Sequence, residues 1–175
     1  MSWIEHMRSL FLYNQWANRK VLAACEGLSE EDLRRDFGTS RGSVATTLYH
    51  VVGTEAGWFS RWSEMEMIMV HPPGQGAALA DLRAGFEKVG TAMIEFADAR
   101  SDADIDKTVE FPGSEGKTYS APVWAIMTHG MNHSTQHRAE AGVMLASLGS
   151  APGDIDYLYF ADEAGFAFQP IGELP

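Results

Sequence analysis

The sequence lacks several features that mark well-known classes of protein. Its 175 residues include one cysteine, Cys25, so no intramolecular disulfide can form and a disulfide scaffold is excluded. No apolar run approaches the roughly 18–20 residues that a membrane-spanning helix needs. The N-terminus has no basic stretch followed by an apolar core, so the sequence predicts no signal peptide. We therefore expect a cytoplasmic protein without a membrane partner.

Positive charge is also scarce. The chain has 13 lysines and arginines against 24 aspartates and glutamates, which gives a formal net charge of -11. Such a surface repels phosphate backbones unless it carries a local basic patch. The densest basic pair is Arg34 and Arg35, and it directly follows the acidic residues 30–32. The composition therefore predicts no nucleic-acid partner.

Hydrophobic residues, at 45% of the chain, are plentiful and recur at helical spacing. The length suits a single domain over residues 1–175. Four long helices are expected, and the first begins with a capping box of Ser2 and Glu5 and ends at Gly27. The second begins near Ser43 and ends between residues 62 and 72. The third covers about 79–99 and the fourth about 121–148.

The stretches between these helices predict smaller elements. Residues 28–37 indicate a short helix or turn, and residues 152–158 a short last helix. Two β-prone stretches, 107–111 and 117–119, flank turn residues and favour a small hairpin. Ser120 is then expected to cap the fourth long helix, with Pro122 in its first turn. The expected fold class is all-α, a four-helix bundle with a small β-hairpin before the last long helix.

Three histidines are placed for metal chemistry. His133 and His137 are four residues apart, so they share one face of a helix. Both can direct a ring nitrogen at one divalent ion about 2.0–2.1 Å away. A third ligand must come from elsewhere, and His50 in the middle of the second helix is the candidate. The same histidines could instead belong to a hydrogen-bond network. His50 on its own could also be an ordinary, partly buried histidine.

The other three histidines fit a metal site less well. His129 is rotated by about 80° from His137 around the helix, so packing or support of a ligand is its expected duty. His6 and His71 are expected to face solvent.

Several known catalytic motifs are absent. Helical zinc proteases need a glutamate directly after the first histidine, where this chain has Ser134. Paired Glu-x-x-His motifs of di-iron bundles are missing, as are a phosphate loop and a nucleophile elbow. Cys25 has no adjacent base in the sequence and is interpreted as a small buried residue.

The chain resembles the DinB-like family, whose members include bacillithiol- and mycothiol-dependent transferases. Three blocks and the tail carry the resemblance: Tyr13-Asn14-Gln15-Trp16-Ala17-Asn18; Leu48-Tyr49-His50-Val51-Val52 followed by Glu55 and Trp58; His129, Asn132-His133, His137-Arg138, Leu145 and Leu148-Gly149; and Asp154-Ile155-Asp156-Tyr157-Leu158.

The resemblance implies a four-helix bundle in which His50, His133 and His137 hold a divalent metal ion. Imidazole ligands suit several metals, and zinc or nickel is expected here. The transferases of the family further imply a low-molecular-weight thiol as cofactor and a small-molecule substrate. Family members also pair through helix faces, so a homodimer is compatible with the resemblance.

One position departs from the family pattern. The family commonly reads His-Arg-Gly-Gln where this chain has His137, Arg138, Ala139 and Glu140. The Glu140 carboxylate could orient a histidine, act as a catalytic general base, or extend the coordination. Alternatively, Glu140 pairs with Arg138 or another surface cation.

These residues predict a metal-dependent enzyme that activates a thiol cofactor for transfer to, or isomerisation of, a small electrophile. One alternative is a hydrolase that uses hydroxide on the ion, with Glu140 as base. Another is a bundle that binds a metal or ligand without catalysis. Four aromatic residues could line a pocket or belong to the core: Tyr49, Trp58, Trp62 and Trp124.

Overall fold

Four long helices form the body of the protein. The computed structural model describes residues 1–70, 78–113 and 116–166. Its elements in chain order are α1 (Trp3–Ala24), α2 (Glu30–Arg34), α3 (Val44–Ser63), α4 (Leu79–Asp98), α5 (Asp102–Ile105), β1 (Thr108–Pro112), β2 (Thr118–Pro122), α6 (Val123–Ser147) and α7 (Tyr157–Glu163). The all-α class with a hairpin before the last long helix is confirmed. His71 lies outside the described residues.

The helix boundaries follow from local chemistry. The Ser2 hydroxyl accepts a hydrogen bond from the Glu5 backbone, and the Glu5 carboxylate accepts one from the Ser2 backbone. This capping box satisfies N–H groups that α1 would otherwise leave unpaired. Beyond α1 and α6, Gly27 and Gly149 adopt φ of +83° and +78°, a left-handed backbone that glycine enters without steric cost.

The start of α6 differs from the prediction. Ser120 was expected as a cap and Pro122 in the first turn, but both lie in β2. Pro122 pairs with Thr108 across the hairpin, and the Val123 backbone donates to the Lys107 carbonyl at 2.9 Å. These pairings hold the chain extended through Pro122, so the helix begins at Val123. The last helix also begins later than expected, at Tyr157.

The long helices pack in a closed ring. α1 contacts α4 and α6, and α3 contacts the same two helices. Apolar side chains from each helix fill the centre, including Phe11, Phe59, Met93 and Met127. Trp62 stacks on Phe11 with ring centroids 5.9 Å apart, so Trp62 belongs to the core. Among the described residues, no helix combines the length and apolarity that crossing a bilayer demands.

A buried polar network joins three of these helices. Arg138 on α6 and Glu55 on α3 are each 1% exposed. Arg138 donates to the side-chain oxygens of Asn14 and Asn18 on α1, and to the Thr135 hydroxyl. The two asparagines donate in turn to Glu55 Oε1, at 2.8 and 3.3 Å. The two opposite charges are thus linked through a pair of amide side chains.

Replacing Arg138 with methionine should lower the free energy of unfolding sharply. The substitution leaves the Glu55 carboxylate and the asparagine oxygens buried without their cation, a loss that typically costs about 3–5 kcal/mol. Urea denaturation followed by circular dichroism measures the change. The control is Arg100→Gln at an exposed site, where a change within about 0.5 kcal/mol is expected. If the two variants unfold at the same urea concentration, the network does not stabilise the fold.

Candidate functional site

Three histidines meet between α3 and α6. His50 comes from α3, and His133 and His137 come from successive turns of α6. One ring nitrogen from each lies within 4.8 Å of the others. The Nε2 atoms of His50 and His133 are 3.2 Å apart. The structure therefore brings together the three residues that the sequence predicted as ligands.

The cluster lies at the boundary between core and solvent. His137 is 6% exposed, whereas His50 and His133 are half-buried. Since helix neighbours four residues apart share a face, the packing of α6 on α3 directs both of its histidines toward His50. The arrangement leaves one side of the cluster accessible.

Glu140 supports the cluster through a hydrogen bond with His137. The His137 Nδ1–H donates to Glu140 Oε2 at 2.9 Å, and the Ser40 hydroxyl donates to Glu140 Oε1 at 3.1 Å. When Nδ1 carries the proton, the lone pair of His137 Nε2 is free to bind another group. Among the described residues, Glu140 forms no ion pair with Arg138 or with any other arginine or lysine.

The surroundings favour the neutral form of two cluster imidazoles, His50 and His133. Burial is the largest cause that lowers the pKa of His50, and the positive charge of Arg41 acts in the same direction. Burial and then the neighbouring histidines lower the pKa of His133 to about 4. Neutral imidazole is the form that binds metals, so these side chains need not lose a proton at neutral pH.

The Glu140 carboxyl is ionised at neutral pH. Burial raises its pKa, but hydrogen bonds, that from His137 first and those from Thr39 and Ser40 after it, outweigh that effect and leave the pKa below its ordinary value. A charged acceptor strengthens the hydrogen bond to His137.

The remaining described histidines lie outside the cluster. His129 is exposed and contacts Trp58 edge to face, with centroids 4.7 Å apart. His6 was expected to face solvent and is half-buried beside the exposed Trp3. Neither contributes a nitrogen to the three-histidine group.

A large cleft opens beside His50. Its volume is about 1260 Å³, and its floor is the exposed face of α3. Of the aromatic residues predicted for a pocket, Tyr49 and Trp58 line it, whereas Trp62 and Trp124 do not. The loop before α3, the strand β1 and the end of α3 contribute further lining residues that the sequence did not reveal: Arg41, Arg61, Glu64, Glu110 and Phe111.

Part of this cleft could have been found from spacing alone. Residues 50, 53, 57 and 61 recur every three or four positions and share one face of α3. Two positions on that face are glycines, Gly53 and Gly57. Because they carry no side chain, they leave room above the helix. No comparable periodicity places Arg41, because it lies in a loop.

Cys25 belongs to a different part of the protein. It is 1% exposed at the end of α1, and burial raises its pKa to about 11. A thiol in that state is protonated at neutral pH and is a poor nucleophile. The prediction that Cys25 is a small buried residue agrees with this position.

Comparisons with known proteins agree with the resemblance noted in the sequence. The profile of the DinB family matches residues 3–172. Protein DinB of Bacillus subtilis (strain 168) is 21% identical over 155 residues, which cover 85% of this chain and 89% of that protein. Since the family match extends over almost the whole sequence, this chain belongs to the DinB family.

Proposed function

We propose that this protein is a divalent-metal-dependent enzyme whose ion is held by His50, His133 and His137. The observation that carries the proposal is the convergence of three ring nitrogens within 4.8 Å at the edge of a cleft. Three protein ligands are typical of catalytic metal sites, whereas structural zinc sites are usually closed by four.

The separation of His50 and His133 fits a shared ion. Two nitrogen ligands of a tetrahedral ion, each about 2.0–2.1 Å from it, lie about 3.3 Å apart. The Nε2 atoms of His50 and His133 are separated by 3.2 Å. An all-imidazole set suits zinc and nickel, which are the metals we propose. The ion would supply Lewis acidity that favours loss of a proton from a thiol or water in the cleft.

The chain itself offers no thiol to the cleft, because Cys25 is buried elsewhere. We therefore propose that a low-molecular-weight thiol enters the cleft as cofactor. Its sulfur would form a bond to a small electrophile, either as the product of transfer or as a step in isomerisation. In transfer, the S–H bond breaks as the sulfur–carbon bond forms, and the group displaced from that carbon departs with the electron pair and takes up the thiol proton. In isomerisation, the thiol would add its sulfur and its proton across a double bond of the substrate and be eliminated again with both after rotation about the resulting single bond. A small-molecule substrate, a cytoplasmic location and a homodimer stay predictions of the sequence.

Glu140 would act as a positioning residue. It holds the Nδ1–H of His137 and is itself held by Ser40, so the ring of His137 has one preferred orientation. Carboxylates in this position raise the basicity of a metal-binding histidine.

A hydrolase is the second candidate, and the same carboxylate favours it. Glu140 is ionised and its side chain is 19% exposed, so it is accessible to water at the cluster. In this reaction Glu140 would accept a proton from the attacking water.

Substitution of His50 with alanine should abolish stable metal binding. The variant keeps both α6 histidines but loses the ligand from α3. His129→Ala is the control, because it removes a histidine of α6 that lies outside the cluster. After zinc loading and dialysis, elemental analysis should find one ion per chain in the parent and in His129→Ala, but little in His50→Ala. Equal zinc content in all three would refute the ligand set.

Turnover should require both a metal and a thiol. We expect the zinc- or nickel-loaded protein to convert electrophiles in a screen that pairs low-molecular-weight thiols with small electrophiles. Chelation should abolish the reaction, and added metal should restore it. Metal-dependent hydrolysis without any thiol would replace the first candidate with the second. A reaction that survives chelation would contradict both.

The Glu140→Gln variant separates positioning from base catalysis. Loss of a carboxylate that orients a metal-bound histidine typically costs roughly 10–100-fold in metal affinity or activity. We expect weaker zinc binding in a competition titration and a parallel loss of thiol-dependent turnover. Unchanged zinc affinity with a loss of activity alone would instead identify Glu140 as the base of a hydrolase. Full activity in the variant would exclude both roles.

A further inference from the structure

Three arginines line the cleft, and two of them, Arg41 and Arg61, have no carboxylate partner in the described part of the chain, whereas Arg34 pairs with Glu30. Including Arg34, five arginines form ion pairs with carboxylates: Arg8 with Asp98, Arg19 with Glu87, Arg34 with Glu30, Arg35 with Asp32 and Arg83 with Glu26. Among the described residues, no carboxylate lies within ion-pair distance of Arg41 or Arg61, and both line the cleft. Arg100 and Arg138 also form no ion pair with the described residues, so it is their place in the cleft that distinguishes Arg41 and Arg61.

Arg41 lies at the histidine end of the cleft. It precedes α3 in the loop, is exposed, and its charge is close enough to His50 and His133 to lower their pKa values. Its guanidinium donates no hydrogen bond to any described residue. A guanidinium stays charged at every physiological pH and presents donors in a planar fork that matches a carboxylate.

The middle of the cleft, farther from the cluster histidines, is lined by aromatic side chains. Trp58 and Phe111 contact each other with ring centroids 5.6 Å apart and form an apolar wall. The Arg61 guanidinium stacks on the Trp58 ring, 4.8 Å from its centroid, and lines the same cleft. Arg61 lies eleven residues after His50, which is about 16 Å along the helix axis. Two exposed carboxylates, Glu64 and Glu110, also line the cleft.

The two cleft arginines without a carboxylate partner differ in how well they can bind an anion. Glu64 is three residues from Arg61, so negative charge lies near the far end of the cleft. One carboxylate close to the Arg41 segment is that of Glu140, which does not line the cleft and whose two oxygens already accept hydrogen bonds from His137 and Ser40. Because Arg34 is already paired with Glu30, Arg41 offers one guanidinium fork at this end of the cleft, and a planar carboxylate accepts two parallel hydrogen bonds from such a fork.

We propose that the cleft binds an organic carboxylate, with its carboxylate on Arg41 and an apolar body against Trp58 and Phe111. Such a molecule would present its other atoms to the cluster beside His50. That it is a reactant rests on the proposed function, whereas its binding to Arg41 does not require the metal.

The test uses two probes of matched shape, 4-phenylbutyrate and its neutral amide, 4-phenylbutyramide. Their affinities for the full, chelator-treated chain are measured by ligand-observed nuclear magnetic resonance titration. A charge-assisted hydrogen bond gives roughly a tenfold preference for the carboxylate. Arg41→Gln should abolish the preference, and Arg41→Lys should retain part of it. Arg100→Gln, an exposed arginine outside the cleft, should leave it unchanged.

Two results would overturn the proposal. The first is that Arg41 makes no difference: either the parent chain binds the two probes with equal affinity, or Arg41→Gln still prefers the carboxylate probe. The second is a preference that arises only after zinc loading and persists in Arg41→Gln, because the ion would then hold the carboxylate. The His50→Ala variant separates this inference from the proposed function, since it should lose zinc and keep the carboxylate preference.

Discussion

The buried link between Arg138 and Glu55 is the interaction on which the site depends. Arg138 directly follows His137, and Glu55 is five residues beyond His50. Their network through Asn14 and Asn18 therefore fixes α3 and α6 close to the level at which the histidines meet. Sliding α6 by one turn, about 5.4 Å, would leave two charges buried without partners. We infer that this penalty favours the register that brings the cluster together.

Burial has opposite effects on the groups of the site, and both effects suit metal chemistry. It lowers the pKa of His50 and His133, which keeps their ring nitrogens available. It also raises the pKa of Glu140, but hydrogen bonds more than offset that effect and keep the carboxylate charged. Two neutral imidazoles, His50 and His133, thus share the site with a charged carboxylate, at the edge of a cleft that carries its own cation, Arg41.

Much of the fold and the centre of the site could be predicted from local patterns. Capping residues and glycines set the ends of α1, and helical spacing placed His133 and His137 on one face. Pairing across the hairpin could not be foreseen at Pro122, because Thr108 is fourteen residues away and its register depends on the folded chain. The position of Arg41 in the cleft could not be predicted for a similar reason, because helical periodicity does not apply to a loop residue.

The central claim is that one metal ion is bound by three imidazoles and by no other protein side chain. X-ray absorption spectroscopy of the zinc-loaded protein tests this claim most directly, because it reports the type and distance of the ligand atoms. We predict three imidazole nitrogens at about 2.0–2.1 Å, with an oxygen or nitrogen from solvent completing the shell. A zinc–sulfur distance near about 2.3 Å, or fewer than three imidazoles, would contradict the account.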